Sequence, residues 1–472
     1  MASKKKLYQC HPGRQLAEIE TFRTRQKTRR EPADPASLER GVRQLLADKI
    51  SGNLVGLWLL VPEHLRLGTW DLLTQWSQSP APAAPHLALQ LVHEAAWCVT
   101  GLRQSRTLSQ KGFEVLNGLP FVASDQAIHD LLEAQAVAEA ESLQVNLGWL
   151  RRARGHFQGS LLAIDPHRLH SQSKRLMPRF RQDLQSRPYQ VAQGFFCLDA
   201  ETHQPLCFSL SSSSVSVSQA TPPLLRLASS ILNPQDARPL VLADTEHYTE
   251  ALFHPTFHQS PFDLIVPMPN SQAVRKSLQP IPPTDFQPRW AGWATTHRPF
   301  HFKEDPTTPY CQRVERSGEV LDQCSYPAFL ATRYRDEVED LALHFPQRWP
   351  IEEFFNLYPS MGWQRAGTLN LNVRYGQMSL ALLAQTACHQ LRQRWGDPYS
   401  SWDAGHLASS LFRGIDGDIR ISHDTIRVTL YNVPQAQQLK KHYEDLPQIL
   451  IQENINPCIP WLFGYKLDFR FK

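Results

Sequence analysis

Gly159-Ser160-Leu161-Leu162-Ala163-Ile164-Asp165 and Pro239-Leu240-Val241-Leu242-Ala243-Asp244 decide how this chain is read. Each is a short apolar run of the kind that forms a strand covered on both faces, and each ends on a carboxylate. Between them, Val191 to Leu198 and Pro205 to Leu210 have the composition of two more strands, joined by the polar turn Asp199-Ala200-Glu201-Thr202-His203-Gln204. The first three strands make an antiparallel meander with a long basic loop after the first. Pro222 to Leu232 predicts a helix, and Phe262 to Val266 a further strand. A single Asp after a strand is ordinarily a turn former or a helix cap. Two of them, on the first and fourth strands of such a series, are a different signal.

Strand, strand, strand, helix, strand, with acids closing the first and fourth strands, is the layout of a ribonuclease-H-like α/β core. There the acid-bearing strands are neighbours, and a third acid arrives from a later helix. Arg348-Trp349-Pro350-Ile351-Glu352-Glu353-Phe354-Phe355 supplies it. Pro350 suits the first turn of a helix, which places Glu352 early on it. Arg348 and Glu352 lie four apart and can face one cleft, whereas Glu353 points to another helix face and is the fallback. Three carboxylates suit a hard cation that keeps waters or takes phosphate oxygens as its other ligands. The expected cofactor is Mg²⁺ or Mn²⁺, as two ions about 4 Å apart flanking a phosphodiester. His167 and His170, close to Asp165, are poor ligands for such an ion.

On these segments the chain resembles the DDE transposases of bacterial insertion sequences. The matching stretches are Leu161 to Asp165, Leu242-Ala243-Asp244-Thr245-Glu246, and Arg348 to Phe354. The branch it is most similar to carries a Tyr-x2-Arg-x3-Glu-x6-Lys signature around its third acid. Arg348 and Glu352 fill the Arg and Glu positions, while Phe345 and Pro359 stand at the Tyr and Lys positions. The resemblance implies Asp165, Asp244 and Glu352 as catalytic and metal-binding acids. It also implies a β-rich insertion between the last core strand and the acid-bearing helix. The 108 residues from Asp244 to Glu352 leave room for one, and the aromatic segment 270–325 falls there. By resemblance this segment contacts the transposon end, with Trp290 or Trp293 stacking on an exposed base; small-sheet core packing is the plainer role for both.

The chain has 472 residues, of which 42% are hydrophobic and 20% charged, so it is not a wholly disordered polymer. Eight cysteines without a CxxC pair argue against a structural zinc site and a disulfide scaffold, and for reduced thiols in the cytoplasm. The longest apolar stretch, Leu54 to Val61, is too short to span a bilayer, so no membrane partner is expected. The net charge of +4 is unevenly placed. Residues 1–30 hold nine Lys/Arg against two Glu, which is +7, leaving −3 for the rest. A basic leader on a near-neutral body suits a polyanion, although a solvated tail would have the same composition. After Asp165, the run Arg168, Lys174, Arg175, Arg179, Arg181 could neutralise DNA phosphates or line a solvated loop.

These readings divide the chain into a basic leader (1–33), a helical DNA-binding region (34–155), a catalytic core (156–269 and 326–400) interrupted by the β-rich insertion (270–325), and a C-terminal region (401–472). In the helical region, Ser37 to Ile50 is expected as an amphipathic helix. Gly118-Leu119-Pro120, with Ser124 capping a helix over roughly Asp125 to Leu143, is compatible with a helix-turn-helix and equally with any helical bundle. Gly376 to Trp395 predicts a strong helix, a candidate dimer contact together with the C-terminal region. The function expected is cut-and-paste transposition on double-stranded DNA, both terminal inverted repeats and target, by a bacterial, nucleoid-associated protein. A homodimer is implied because two ends must meet. The DNA-contacting set is Arg348, Arg168, Lys174, Arg175, Trp290 and Trp293. The alternatives are a catalytically silent DNA-binding relative and a stand-alone metal-dependent nuclease of the same fold.

Overall fold

Alternation of side chains along the strands of a nine-stranded sheet splits the interior into two cores, one on each face. The structure is a computed structural model and describes residues 34–472 apart from 53, 80, 99–110, 122, 172–178, 182–186, 236, 358–360 and 364–369. The leader, Lys174 and Arg175 therefore lie outside the described residues. The described strands are β1 (Ile50–Gly52), β2 (Leu161–His170), β3 (Val191–Asp199), β4 (Gln204–Ser212), β5 (Leu240–Leu242), β6 (Asp263–Pro267) and β7 (Gln287–Trp290). They continue with β8 (Trp293–Phe300), β9 (Tyr310–Ser317), β10 (Ala328–Ala331), β11 (Gly417–Ser422), β12 (Thr425–Leu430) and β13 (Lys466–Phe471).

The large sheet has the order β4-β3-β2-β5-β6-β10-β9-β8-β7. β2, β3 and β4 form the antiparallel meander, and β5 and β6 add in parallel to β2. From β6 outward, β10, β9, β8 and β7 continue antiparallel. Leu161, Ala163, Phe196, Leu198, Leu240 and Leu242 fall in one core, while Leu162, Ile164, Phe195, Cys197, Val241 and Ala243 fall in the other. The second face is covered by the helices Val217–Leu232 and Glu250–Gln259, through residues such as Leu224, Ile231, Leu252 and Phe253.

The segment 270–325 is thus not a body apart from the core. Its strands extend the same sheet, docked through β10, a strand absent from the sequence reading because Ala328-Phe329-Leu330-Ala331 is buried on both faces and shows no alternation. The helix Leu371–Trp395, one turn longer than expected and capped by Asn370, runs through the middle of the first core. Val373, Met378, Leu382, Ala384, Cys388 and Leu391, distributed around it, are all buried. A helix apolar on every side is an interior element, so this one is corrected from dimer contact to central pillar. Arg374 anchors it, donating to the carbonyls of Ser211 and Gln193 at 3.1 and 3.3 Å.

The amino-terminal helices pack around that pillar. Asp34 caps the helix Pro35–Leu46 by accepting from the Ser37 amide at 2.8 Å, and Leu38, Val42 and Leu46 form its inner face. Ser124 caps the helix Asp125–Ala134 as expected, but the chain leaves it early: Gln135 and Ala136 are extended before Val137–Ala153 begins. Gln135 donates its amide to the buried Ser77 carbonyl at 3.0 Å, a bond that a continuous helix would not have provided. In the helix Ala84–Ala96 every residue but Pro85 is buried, which leaves it no face for a DNA groove.

The two ends of the described chain meet in the second sheet, β1-β11-β12-β13. Ile50 pairs with Ile419, and β13 adds in parallel to β12. Tyr443 donates its hydroxyl to the Leu59 carbonyl, and Trp461 its indole NH to the Leu116 carbonyl, both at 3.0 Å. Glu63 joins Arg66 of the amino-terminal region to Gln390 and Arg394 of the pillar, and Glu453 of the C-terminal region takes the same two arginines. The regions 34–155 and 401–472 form one packed unit. At its seam Gly118 has φ +65°, and a Cβ there would overlap the Trp461 carbonyl oxygen and the His86 ring. Gly118→Ala is expected to destabilise the protein by roughly 1–3 kcal/mol or more, from overpacking added to an unfavourable backbone conformation; chemical denaturation measures it.

Candidate catalytic centre

The parallel register of β2 and β5 determines where the first two acids stand. Leu161, Leu162 and Ala163 pair with Leu240, Val241 and Leu242. Two residues beyond the last pair lie Asp165 and Asp244, on adjacent strands about 4.8 Å apart and on the same face, since both follow the alternation of Ala163 and Leu242. On its other side Asp165 pairs with Phe196 of β3. Asp244 closes its strand as the cap of a short 3₁₀ turn, Thr245–His247, accepting from the Glu246 amide at 3.2 Å.

Aromatic packing brings in the third acid. The helix Pro350–Leu357 lies over β2 and β3, with Phe355 stacked on His167 at 4.5 Å and Phe354 and Phe355 against Phe196 at 5.6 and 5.5 Å. His167 shares the Asp165 face of β2, and Phe355 is three residues from Glu352, so Glu352 is turned toward Asp165. Glu353 instead lines a separate cavity of about 280 Å³ with Thr202, His389 and Arg392. The approach to this helix is fixed from the sheet extension. Arg313 of β9 and Asp340 form a fully buried ion pair, His344 adds to Asp340 at 3.0 Å, and Phe345 packs on Phe329 of β10 at 4.9 Å.

The charges are unequally compensated. Asp165 is pushed up to about 8, first by burial and then by Asp244, with Glu352 and Glu246 adding and Arg348 opposing. Burial also raises Asp244, but there the hydrogen bond and charge of His247 outweigh it, helped by Arg348, and hold that carboxyl below its ordinary value. His247, itself buried, donates to Asp244 at 2.6 Å. Arg348 donates to Glu352 at 2.6 Å, and its charge acts on Asp165 and Asp244 as well. Three converging carboxylates, sharing one arginine and one histidine, form a donor set that fits a hard divalent cation.

The remaining sequence candidates are placed differently. Arg168 is clamped to Glu246 through both guanidinium nitrogens, bonds Gln193 at 3.1 Å and lies over the Phe180 ring at 4.4 Å. Its charge is directed within the protein, toward Glu246. Trp290 and Trp293 stack on each other across the β7–β8 turn at 4.0 Å; Trp293 is half-buried, while Trp290 is 54% exposed. Sequence reasoning missed His247 and the anchors Phe196 and Phe355. The Asp244-to-His247 spacing fits a capped turn and was the available signal; the aromatic contacts join distant segments and left none.

Residues 157–386, a stretch that holds all three acids, match the family model described as Transposase DDE domain. Among solved structures, the chain is similar to a piggyBac transposase synaptic complex with hairpin DNA. The identity is 11%, the alignment covers 86% of this chain and 87% of that chain, and the TM-score is 0.41. No curated protein matches the chain.

The raised Asp165 carboxyl has a stability consequence with a definite sign. Between its unfolded value near 3.8 and about 8, the folded state holds a proton that the unfolded chain has released. The group therefore penalises folding increasingly as pH rises through that window, and fully above it. In chelator, Asp165→Asn should melt higher than the parent above pH about 8, with the gap closing as pH falls. Added Mg²⁺ should stabilise the parent more strongly at the alkaline end, because binding displaces the proton.

Proposed function

We propose that the chain is a transposase that binds transposon-end DNA and carries out metal-dependent phosphodiester cleavage and strand transfer by cut-and-paste. The observation that carries this reading is the meeting of Asp165, Asp244 and Glu352, with Asp165 raised first by burial and then by Asp244 and Glu352. The order β4-β3-β2-β5-β6, antiparallel on one side of β2 and parallel on the other, supports a ribonuclease-H-like core. The match of 157–386 to transposase DDE domains supports the class of chemistry.

Two Mg²⁺ or Mn²⁺ ions held by Asp165, Asp244 and Glu352 would supply Lewis acidity to the attacking and leaving oxygens. The chain's own groups do the rest. His247 and Arg348 keep Asp244 anionic, and the register of β2 and β5 fixes its distance from Asp165. Arg348, paired with Glu352, has the fork geometry that grips non-bridging phosphate oxygens. In the first step a water oxygen attacks phosphorus, the P–O3′ bond at the transposon end breaks, and the released O3′ takes a proton. In the second, that 3′-hydroxyl attacks a target phosphodiester, gives up its proton and displaces the target's own O3′. Trp290 belongs to the proposed DNA contacts, as the more exposed of the two tryptophans; Lys174 and Arg175, outside the described residues, are proposed with it, whereas Arg168 is engaged by Glu246 and would have to exchange that partner for a phosphate. Homodimerisation across two ends, a nucleoid setting in a bacterial cytoplasm and an insertion-sequence origin complete the proposal. Among the described residues no helix is long and apolar enough to cross a membrane.

The test is incubation of the purified protein with Mg²⁺, end-sequence DNA and a target plasmid. Strand-transfer product is expected, and Asp165→Ala, Asp244→Ala and Glu352→Ala should each reduce it by at least roughly 100-fold, since even residues behind a metal ligand are worth about 10–100-fold. Cleavage without joining would identify a nuclease instead, and binding without either a silent relative.

A further inference from the structure

The helix Glu250–Gln259 follows the Asp244 turn directly and carries His254 and His258, four residues apart. That spacing puts both imidazoles on one side of the helix, and their rings meet edge to face at 4.6 Å. Facing them is Asp305, in the connection between β8 and β9. One potential ligand atom from each of the three lies within 4.8 Å of the others. None of them belongs to the three-acid centre.

The carboxylate and one imidazole are already oriented by neighbours. Asp305 accepts from the Tyr310 hydroxyl at 2.7 Å, and from the Thr308 amide and Thr307 hydroxyl at 3.2 Å. The Tyr310 bond, the largest influence, holds Asp305 well below the usual carboxylate range. The Thr308 hydroxyl bonds His258 Nε2 at 3.1 Å, so one threonine steadies both an imidazole and the carboxylate. Outer hydrogen bonds of this kind fix ligand direction in metal sites. Around them, Phe253, Phe257, Phe302 and Tyr310 form a cluster with ring centroids 5.4–5.8 Å apart, which places helix and loop rigidly against each other.

We propose that His254, His258 and Asp305 form a binding site for a divalent transition-metal ion of the zinc class, which clamps the helix Glu250–Gln259 to the β8–β9 loop. Two imidazoles and one carboxylate suit Zn²⁺ or Co²⁺ and are a poor set for Mg²⁺, which prefers oxygen. Three protein donors leave a position for water. The lack of a CxxC pair bears only on thiolate sites; the signal in the sequence is His-x3-His with an acid more than forty residues on. The clamp would tie the segment that emerges from Asp244 to the outer half of the sheet, on which the third acid's approach depends.

The test uses the full-length protein stripped with chelator and titrated with Co²⁺. One equivalent should produce the visible ligand-field absorption of a nitrogen- and oxygen-ligated low-coordinate site, and Zn²⁺ should bleach it. The band should persist in Asp165→Asn and Asp244→Asn, and disappear or need at least roughly 10–100-fold more Co²⁺ in His254→Gln and Asp305→Asn. Zn²⁺ should raise the melting temperature of the parent and of Asp165→Asn but not that of His254→Gln. His254→Gln and His258→Gln, at exposed or half-exposed positions, should melt like the parent in chelator, which separates lost ligation from lost folding. Absence of the band in the parent, or its retention in both histidine variants, overturns the proposal. Neither outcome depends on whether strand transfer is observed.

Discussion

Two carboxylates held side by side in a half-buried setting are the constraint from which the rest of this molecule follows. The pairing of Ala163 with Leu242 forces Asp165 and Asp244 together, because parallel strands in register carry equivalent residues to the same height on the same face. Burial and mutual repulsion oppose that arrangement, and the sheet holds it because the strand residues below the acids, Leu161 to Ile164 and Leu240 to Ala243, are fully enclosed on both sides. His247 and Arg348 compensate Asp244 and Glu352, and Asp165 is left as the acid that burial and its neighbours raise most.

The outer strands gain a role in the same terms. A stretch of 108 residues between the second and third acids could have been a separate module. Instead β7 to β10 prolong the sheet, and the buried Arg313–Asp340 pair with the Phe329–Phe345 contact directs the chain toward Arg348 and Glu352. Breaking a buried ion pair leaves an uncompensated charge, so this junction is costly to loosen. The position of Glu352 thus rests on strands far from it in sequence, and on Phe355 and Phe354 at the other end of its helix.

The front of the described chain is bound into the molecule as firmly as the acid-bearing strands. Glu63, Arg66, Gln390, Arg394 and Glu453 link the amino-terminal helices, the pillar and the C-terminal region in one network. Any DNA held by the outer surfaces of 34–155 would consequently be held in fixed relation to the three acids, rather than on a tethered reading head.

The sequence by itself marked most of the core strands and helices and offered Asp165, Asp244 and Glu352 as candidate acids. Apolar runs ending in Asp165 and Asp244, the Pro350 start before Glu352, and the Ser124 cap are local signals, written in the residues that make the contacts. It also separated Glu352 from Glu353, because helix periodicity is local. What only the tertiary structure decided depends on pairs distant in the chain. β1 with β11, β10 with β6, Arg168 with Glu246 and Phe355 with His167 come from segments that carry no mark of each other. The same holds for the pillar Leu371–Trp395: its apolar residues announced a helix, but whether they faced a partner or an interior was settled by what packed around it. Local periodicity fixes which atoms point together along one element; which element meets which is decided by burial summed over the whole chain.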